Sequence, residues 1–205
     1  MGTYYNRRFR HFEVALLLAL AVTLLWGASS ANRQETLSRK LIRLHVIANS
    51  DSEADQALKL EVRDAVVAQA ASLLEQSEDR EDAWRRLEAS LPELRRTAAR
   101  VCGGRYPVQA TLTTAEFPLK EYDGFTLPAG RYPALRVIIG EGAGHNWWCV
   151  VYPPLCTAAC TDLEGAAIDA GLAQEEVKLI TEQEGYTLRF RAVELWQQVR
   201  RWVGK

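Results

Sequence analysis

The sequence predicts an α+β domain, with a mainly antiparallel sheet and helices packed on one face of it, preceded by an N-terminal signal or anchor helix. An apolar run follows a cluster of arginines at the N-terminus, helical periodicity dominates residues 52–104, and alternating apolar residues dominate residues 108–151. Because helices and strands are segregated along the chain, the pattern favours an α+β fold over an alternating α/β fold.

The composition is that of one globular domain with almost no net charge. The chain has 205 residues, 48% apolar content and a formal net charge of −1. It is long enough to bury a core, and its charge gives no reason to expect a nucleic-acid partner. We therefore expect a compact fold that does not bind nucleic acid.

The first 31 residues have the layout of a secretory signal. Arg7, Arg8 and Arg10 precede an apolar run at 14–26, and small residues follow as far as Ala31. The run is shorter than the ~20 residues of a membrane-spanning helix, although counting on to Ala31 leaves an uncleaved anchor as an alternative. We predict a signal peptide or membrane anchor at 1–31 and a single exported domain at 32–205.

The exported domain begins with a strand and a helix. Residues 41–47 alternate, which predicts a strand with one buried side and an opposite side that carries Arg43, His45 and Ile47. Ser50 and Glu53 fit a capping box, so we predict a helix from about Ser52 to Gln76.

Further elements follow from the same periodicities. A second helical stretch runs from about residue 77 to Gly103, and Pro92 inside it predicts a kink or a restart. Alternation then predicts strands at 108–117, 135–139 and 147–151, before a short helix at 173–180. A basic amphipathic helix is expected at 188–203; it docks on the sheet or, alternatively, lies on an anionic membrane surface.

The glycines at 140, 142 and 144 do not form a nucleotide-binding loop. Their spacing is G-x-G-x-G, His145 stands where a dinucleotide fingerprint needs its third glycine, and a strand follows instead of a helix. We expect a mobile hairpin connection that displays His145 and Asn146.

The four cysteines leave several pairings open. Cys149 and Cys156 flank a Pro-Pro turn and are the candidates for a disulfide, which leaves Cys102 and Cys160 to pair or stay reduced. His145 with the last three cysteines is an alternative metal-ligand set, but it lacks the C-x-x-C spacing of specific zinc sites. We predict no metal and no cofactor.

A cysteine hydrolase is the enzymatic alternative. It would use Cys149 as the nucleophile with His45 or His145 as the base and would act on cell wall or peptide. No local signature surrounds Cys149, and a disulfide explains the same residue more simply. We therefore predict no catalytic residues.

The two adjacent tryptophans should point to opposite faces of their strand, which leaves one of them available to a partner. The candidate interaction residues are polar or aromatic side chains near this strand and the first one: His145, Asn146, Trp147, Trp148, Arg43 and His45.

Two blocks of the sequence closely resemble stage II sporulation protein R of endospore-forming bacteria. They are LIRLHVIANSDSEADQALKLEVRDAV at 41–66, and PLKEYDGFTLPAG followed by GEGAGHNWWCVVYPPLC at 118–156. The middle helices and the residues after Cys160 carry no matching motif.

The resemblance implies an intercellular signalling role. Proteins of this family are exported from the forespore into the space between its membrane and that of the mother cell. There they activate a membrane-embedded aspartic protease, which processes a sigma-factor precursor. The family has no catalytic residues to carry over, so the interaction candidates rest on physical grounds alone.

Overall fold

A computed structural model describes residues 11, 13–23, 34–122, 124–155, 163–169 and 171–181. The chain divides into two compact units, one formed by Met1–Thr36 with Glu184–Lys205 and the other by Leu37–Gln183. In the first unit, residues 13–23 are helical and expose large apolar side chains such as Leu16, Leu17 and Leu18. The signal function of this segment and the boundary after residue 31 stay predictions, and the predicted helix at 188–203 lies outside the described residues.

Within the described ranges, no helix combines the length and the apolar character needed to cross a membrane.

The second unit is built on a four-stranded sheet. In chain order the strands are β1 (Ile42–Ile47), β2 (Val108–Phe117), β3 (Lys120–Tyr122), β4 (Phe125–Leu127), β5 (Gly130–Ile139) and β6 (Asn146–Tyr152). The sheet has the order β2-β5-β1-β6, and β3 and β4 form a separate two-stranded hairpin.

Four helices of this unit have described bounds: α1 (Glu53–Leu74), α2 (Arg80–Cys102), α3 (Leu163–Asp169) and α4 (Gln174–Thr181). The hydroxyl of Ser52 accepts from the N–H of Asp55 and caps α1, so the predicted cap at Ser50 was two residues early. The predicted interruption of α2 at Pro92 was also wrong, because one helix runs through this exposed proline to a left-handed cap at Gly103.

The α+β class is confirmed, but the sheet is mixed. Strand β1 pairs parallel with β5, through Leu44 and Leu135, and antiparallel with β6, through Leu44 and Cys149. Two helices and the strands β2, β3 and β4 separate β1 from β5 along the chain, and this provides the long crossover that a parallel pair requires.

Both faces of the sheet are covered, at least in part. On the first, here called the helix face, Ile42, Leu44 and Val46 pack in one core cluster with buried residues of α1 and α2. On the second, the hairpin face, Phe117, Tyr132 and Val150 pack with residues of β4, α3 and α4. The predictions of one buried side for β1 and of helices on one sheet face were therefore wrong. A central strand that lies between two layers is buried on both sides.

Candidate functional site

Two loops meet at the end of the sheet where β1 and β5 terminate. We call this site the loop junction: residues 48–52 between β1 and α1, and residues 140–145 between β5 and β6. The N–H of Ala143 donates to the carbonyl of Asn49 (3.1 Å), and the N–H of Gly144 donates to the carbonyl of Ala48 (3.0 Å). The second loop therefore crosses the end of β1. The predicted hairpin between β5 and β6 was wrong, because β1 lies between these strands.

The side chain of Asn49 links the two loops to α1. Its Oδ1 accepts from the N–H of Glu141 (3.1 Å), and its Nδ2 donates to Oδ2 of Asp55 (2.8 Å). The hydroxyl of Ser50 donates to the same carboxylate oxygen (2.6 Å). These hydrogen bonds, first that of Ser50 and then that of Asn49, lower the pKa of Asp55, so this buried carboxylate stays ionised near neutral pH.

The glycines of the junction permit close approach of the two loops. A Cβ on Gly140 would lie 2.1 Å from Oδ1 of Asn49, and a Cβ on Gly144 would lie 2.2 Å from the carbonyl oxygen of Ser50. Both distances are far inside van der Waals contact. Gly140 and Gly144 thus allow the two loops to pack closely. The sequence analysis had instead expected these glycines to make the connection mobile.

His145 is held at the exposed edge of the junction. Its backbone N–H donates to Oδ1 of Asp51 (2.6 Å), and its ring Nδ1 lies 2.5 Å from the same oxygen. The pKa of Asp51 is lowered, mainly by the hydrogen bond with the His145 ring and then by that with its backbone. Lys59 of α1 donates to the carbonyl of His145 (3.1 Å), and burial lowers the pKa of this ammonium group. The imidazole is thus exposed to solvent in a defined orientation.

Trp147 and Trp148 of β6 place their side chains on opposite faces of the sheet, as predicted. Trp147 packs on the helix face, where the guanidinium of Arg63 lies 4.3 Å from its ring centroid. Trp148 lies on the hairpin face and stacks on His45, with ring centroids 5.7 Å apart. Both indoles are half-buried.

His45 connects Trp148 to the exposed Asn146. Its Nε2 lies 2.9 Å from Oδ1 of Asn146, and burial is the main cause that lowers its pKa. The ring is therefore neutral at pH 7 and donates from Nε2, because an amide oxygen can only accept.

Arg43 does not contact solvent, although it was a candidate interaction residue. It is 0% exposed, and its Nη2 donates to the hydroxyl of Tyr122 (2.6 Å). The guanidinium carbon lies 4.1 Å from the ring centroid of Phe117 and 4.9 Å from that of Tyr132. In this arrangement Arg43 cannot touch a partner directly.

Among the described residues, Cys149 and the two candidate histidines do not form a catalytic pair. Cys149 packs in the helix-face core, whereas His45 stacks on Trp148 across the sheet. His145 precedes Cys149 by four residues, about 13 Å along an extended strand at ~3.3 Å per residue. A thiol and its base must come within hydrogen-bond distance, so neither His45 nor His145 is placed to activate Cys149.

The predicted disulfide stays a prediction. Cys149 is buried in β6, while Cys156 and Cys160 lie outside the described residues. Cys102 is a buried thiol at the end of α2, and burial raises its pKa. The described part of the chain contains no cluster of three or more His, Cys, Asp or Glu residues able to hold a metal ion.

Sequence reasoning missed the residues that organise the junction. Asp51, Asp55 and Lys59 were assigned to a turn and to the charged side of a helix, since solvated charges are the usual interpretation there. The polar run Asn-Ser-Asp-Ser, which follows a buried strand, is the signal that could have located them. Polar residues in that position can satisfy the backbone groups of a second loop that crosses the end of the strand.

Fold and site together define a small α+β domain in which the two sequence blocks at 41–66 and 118–156 join at one end of a mixed sheet. The chain belongs to the stage II sporulation protein R family, whose model matches residues 38–162. Stage II sporulation protein R of Bacillus subtilis (strain 168) is 36% identical over 130 residues, which are 62% of this chain. The match spans 58% of the length of that relative. No solved structure matches the chain.

Proposed function

We propose that this protein is an exported signalling protein of sporulation that activates a membrane-embedded aspartic protease. Family membership is the single observation that carries the proposal. In this proposal the forespore exports the protein into the space between its membrane and that of the mother cell. The activated protease of the mother-cell membrane then processes a sigma-factor precursor.

Export is supported by the N-terminal segment. Residues 13–23 form a helix whose apolar side chains are exposed, with Leu17 at 64% and Leu16 at 61%. A contiguous exposed apolar surface marks contact with a membrane or another protein. The preceding arginines give this segment the polarity of an export signal.

A contact role is supported by the loop junction. His145 and Asn146 are exposed, yet backbone and side-chain hydrogen bonds with Asp51, Lys59 and His45 hold them in place. A preordered polar tip loses little conformational entropy when a partner binds. We assign His145 and Asn146 as the part of the surface that the protease contacts first.

Co-expression tests the proposed function. The chain and the candidate protease are produced together in a host that lacks other sporulation proteins, and cleavage of the sigma-factor precursor is scored. Cleavage that requires both proteins is the expected result. Its absence when both proteins are folded and correctly located would refute the proposal.

A matched variant tests whether export is needed. Replacing Leu16, Leu17 and Leu18 by arginine makes the exposed helix at 13–23 polar and leaves residues 37–183 unchanged. We expect this variant to accumulate inside the producing cell and to give no cleavage. Full cleavage by a retained variant would contradict signalling across the membrane.

A further inference from the structure

Strand β2 forms one edge of the four-stranded sheet. It pairs antiparallel with β5 along its whole length, from Val108 opposite Ile139 to Phe117 opposite Gly130. Among the described strands, none pairs with β2 on its outer side. The main contacts of β2 with other described elements are those with β5 and α2. Its outer side therefore faces away from the rest of the sheet.

One hydrogen bond identifies the backbone groups that point outwards. The N–H of Gly140 donates to the carbonyl of Pro107 (2.9 Å), and these residues stand opposite each other one step before the first pair of the register. Because bonded and non-bonded pairs alternate along an antiparallel ladder, the odd-numbered residues of β2 bond to β5. Pro133, which has no N–H, stands opposite Thr114 in a non-bonded pair, as this alternation requires. The outward-facing residues are Val108, Ala110, Leu112, Thr114 and Glu116.

The outer edge of β2 is unprotected. In the described part of the chain, none of its outward N–H and C=O groups makes a hydrogen bond. Edge strands are usually short, bulged or interrupted by proline or lysine, because free backbone groups pair with other strands. Strand β2 has ten residues, an unbroken register and neither proline nor lysine, and its one charged residue, Glu116, lies near its end. The edge is therefore open to a further strand.

The side chains of β2 define the strand that would fit next to it. Ala110 and Leu112 pack on the helix face, whereas the exposed Gln109 and Thr111 alternate with them and point to the hairpin face. Residues opposite each other in a strand pair lie on the same face of the sheet. A fitting strand thus has apolar residues on the helix face and polar residues on the hairpin face, and β2 itself has this alternation.

We propose that β2 pairs antiparallel with β2 of a second copy of this chain, around a two-fold axis at Leu112. The axis is perpendicular to the sheet, so each face of one copy continues into the same face of the other. Leu112 is the centre of the five outward-facing residues, and this axis pairs all of them. Thr111 then stands opposite Thr113, a favourable pair across strands, and Glu116 stands opposite Val108. An axis at Glu116 would instead place two carboxylates opposite each other.

The number of hydrogen bonds is sufficient for a specific dimer. Each outward-facing residue in each copy supplies one N–H and one C=O group, which gives about ten main-chain hydrogen bonds, the number in a typical interface between proteins. The half-buried Leu112 adds apolar contact at the axis. The self-pairing does not depend on the proposed function.

Amide hydrogen exchange measured by NMR on the full chain tests the pairing residue by residue. We expect the N–H groups of Ala110, Leu112 and Thr114 to exchange at least about tenfold more slowly once most of the chain is dimeric by sedimentation equilibrium. Thr111 and Thr113 donate to β5 and should be protected at every concentration. A monomer at the highest soluble concentration, or a dimer in which the outward amides exchange as fast as in the monomer, would overturn the proposal.

Matched substitutions at Thr114 separate backbone pairing from side-chain contact. Thr114→Pro removes an outward N–H that β5 does not use, so the exposed position should accept proline within a folded chain. We expect this variant to weaken the dimer about tenfold or more, because hydrogen bonds are lost and the ring obstructs the edge. Thr114→Val keeps the N–H and should leave the dimer unchanged. Equal weakening by both variants would refute pairing through the main chain.

Disulfide cross-linking tests the register. Thr111 and Thr113 of the two copies form a non-bonded pair with Cα atoms about 4.5 Å apart, which is within the range of a disulfide. A mixture of the Thr111→Cys and Thr113→Cys variants should therefore form a cross-linked dimer under mild oxidation. In the control mixture of Thr111→Cys with Gln109→Cys, the thiols are about 13 Å apart along the strand. Equal cross-linking in both mixtures would refute the register.

Other associations give different results in the same measurements. If Leu16→Arg, Leu17→Arg and Leu18→Arg together abolish the dimer while Thr114→Pro leaves it intact, the exposed helix at 13–23 forms the contact and the proposal is wrong. If the chain stays monomeric and its outward amides become protected only when the candidate protease is added, a strand of another protein occupies the edge. Self-pairing would then be refuted.

Discussion

The ammonium group of Lys59 donates to the backbone carbonyl of His145 across a distance of 3.1 Å. Lys59 is buried in α1, and His145 is the exposed last residue of the loop that precedes β6. Helix α1 therefore fixes the backbone at His145, where the candidate contact residues begin. Any partner that contacts His145 or Asn146 meets a surface that is ordered before binding.

We predict that Gly144→Ala destabilises the protein because its new Cβ would lie 2.2 Å from the backbone oxygen of Ser50. Overpacking typically costs about 1–3 kcal/mol, and a backbone obstacle places this substitution at the upper end. Urea titration measures the free energy of unfolding. Gly103→Ala is the control: its Cβ meets nothing within 4 Å, and its φ of +59° alone should cost about 1–2 kcal/mol. Equal losses would show that loop contact does not constrain Gly144.

We predict that His145→Ala raises the pKa of Asp51 part of the way to its ordinary value of 3.8. The ring hydrogen bond is lost, but the backbone N–H of residue 145 still donates to the carboxylate. Because the folded-state pKa is lowered, this carboxylate stabilises the fold above pH 3.8, and the contribution is lost as the pH falls through the folded-state pKa.

A carboxyl-carbon NMR titration measures this change. Asp55 is the internal control, since Ser50 and Asn49 are the main causes of its lowered pKa. A parallel rise at Asp55 would indicate general rearrangement of the junction, and an unchanged Asp51 would contradict the ring contact.

We predict that the double substitution His145→Ala and Asn146→Ala lowers protease activation about tenfold or more, the effect of removing a central contact residue. The free energy of unfolding should change by less than about 1 kcal/mol, because both residues are exposed. Precursor cleavage in the co-expression assay and urea titration provide the two measurements. Glu93→Ala with Arg96→Ala, an exposed pair on α2, is the control. An equal loss of protease activation from the control pair would show that His145 and Asn146 are not part of the contact surface.

We predict that Cys102 reacts with a thiol reagent only after unfolding, because burial both shields it and raises its pKa. If Cys149 and Cys156 are bridged, the denatured, unreduced exported protein will contain two thiols fewer than the four cysteines of the sequence. Replacing both Cys149 and Cys156 by serine should then preserve activity in a folded protein. A reactive thiol at Cys149 in the exported protein would count against the disulfide.

Local periodicity identified most of the secondary structure. The alternation at 108–117 and 147–151, and the helical repeats after residues 52 and 77, correspond to β2, β6, α1 and α2. Alternation also placed Trp147 and Trp148 on opposite faces, because the direction of a strand side chain depends only on its own backbone. The exact cap of α1 and the continuity of α2 through Pro92 depended on local hydrogen bonding that sequence patterns describe poorly.

The candidate site was predictable only in part. His145, Asn146 and the tryptophans were identified from their unusual sequence, whereas Asn49, Asp55 and Lys59 were missed as parts of the same site. Ninety or more residues separate the hydrogen-bonded pairs Asn49 with Glu141 and Asp51 with His145. Such contacts follow from which strands become neighbours, and no local pattern encodes that choice.

The sequence by itself determined the succession of helices and strands, the family, and the two blocks that form the loop junction. Only the tertiary structure decided that β5 runs parallel to β1 and that the loop after β5 crosses the end of β1. It also decided the environment of Arg43, which alternation assigned to an open face and which a second layer of packing buries completely. The physical reason is that alternation gives the direction of a side chain, while burial depends on what the rest of the chain places over it.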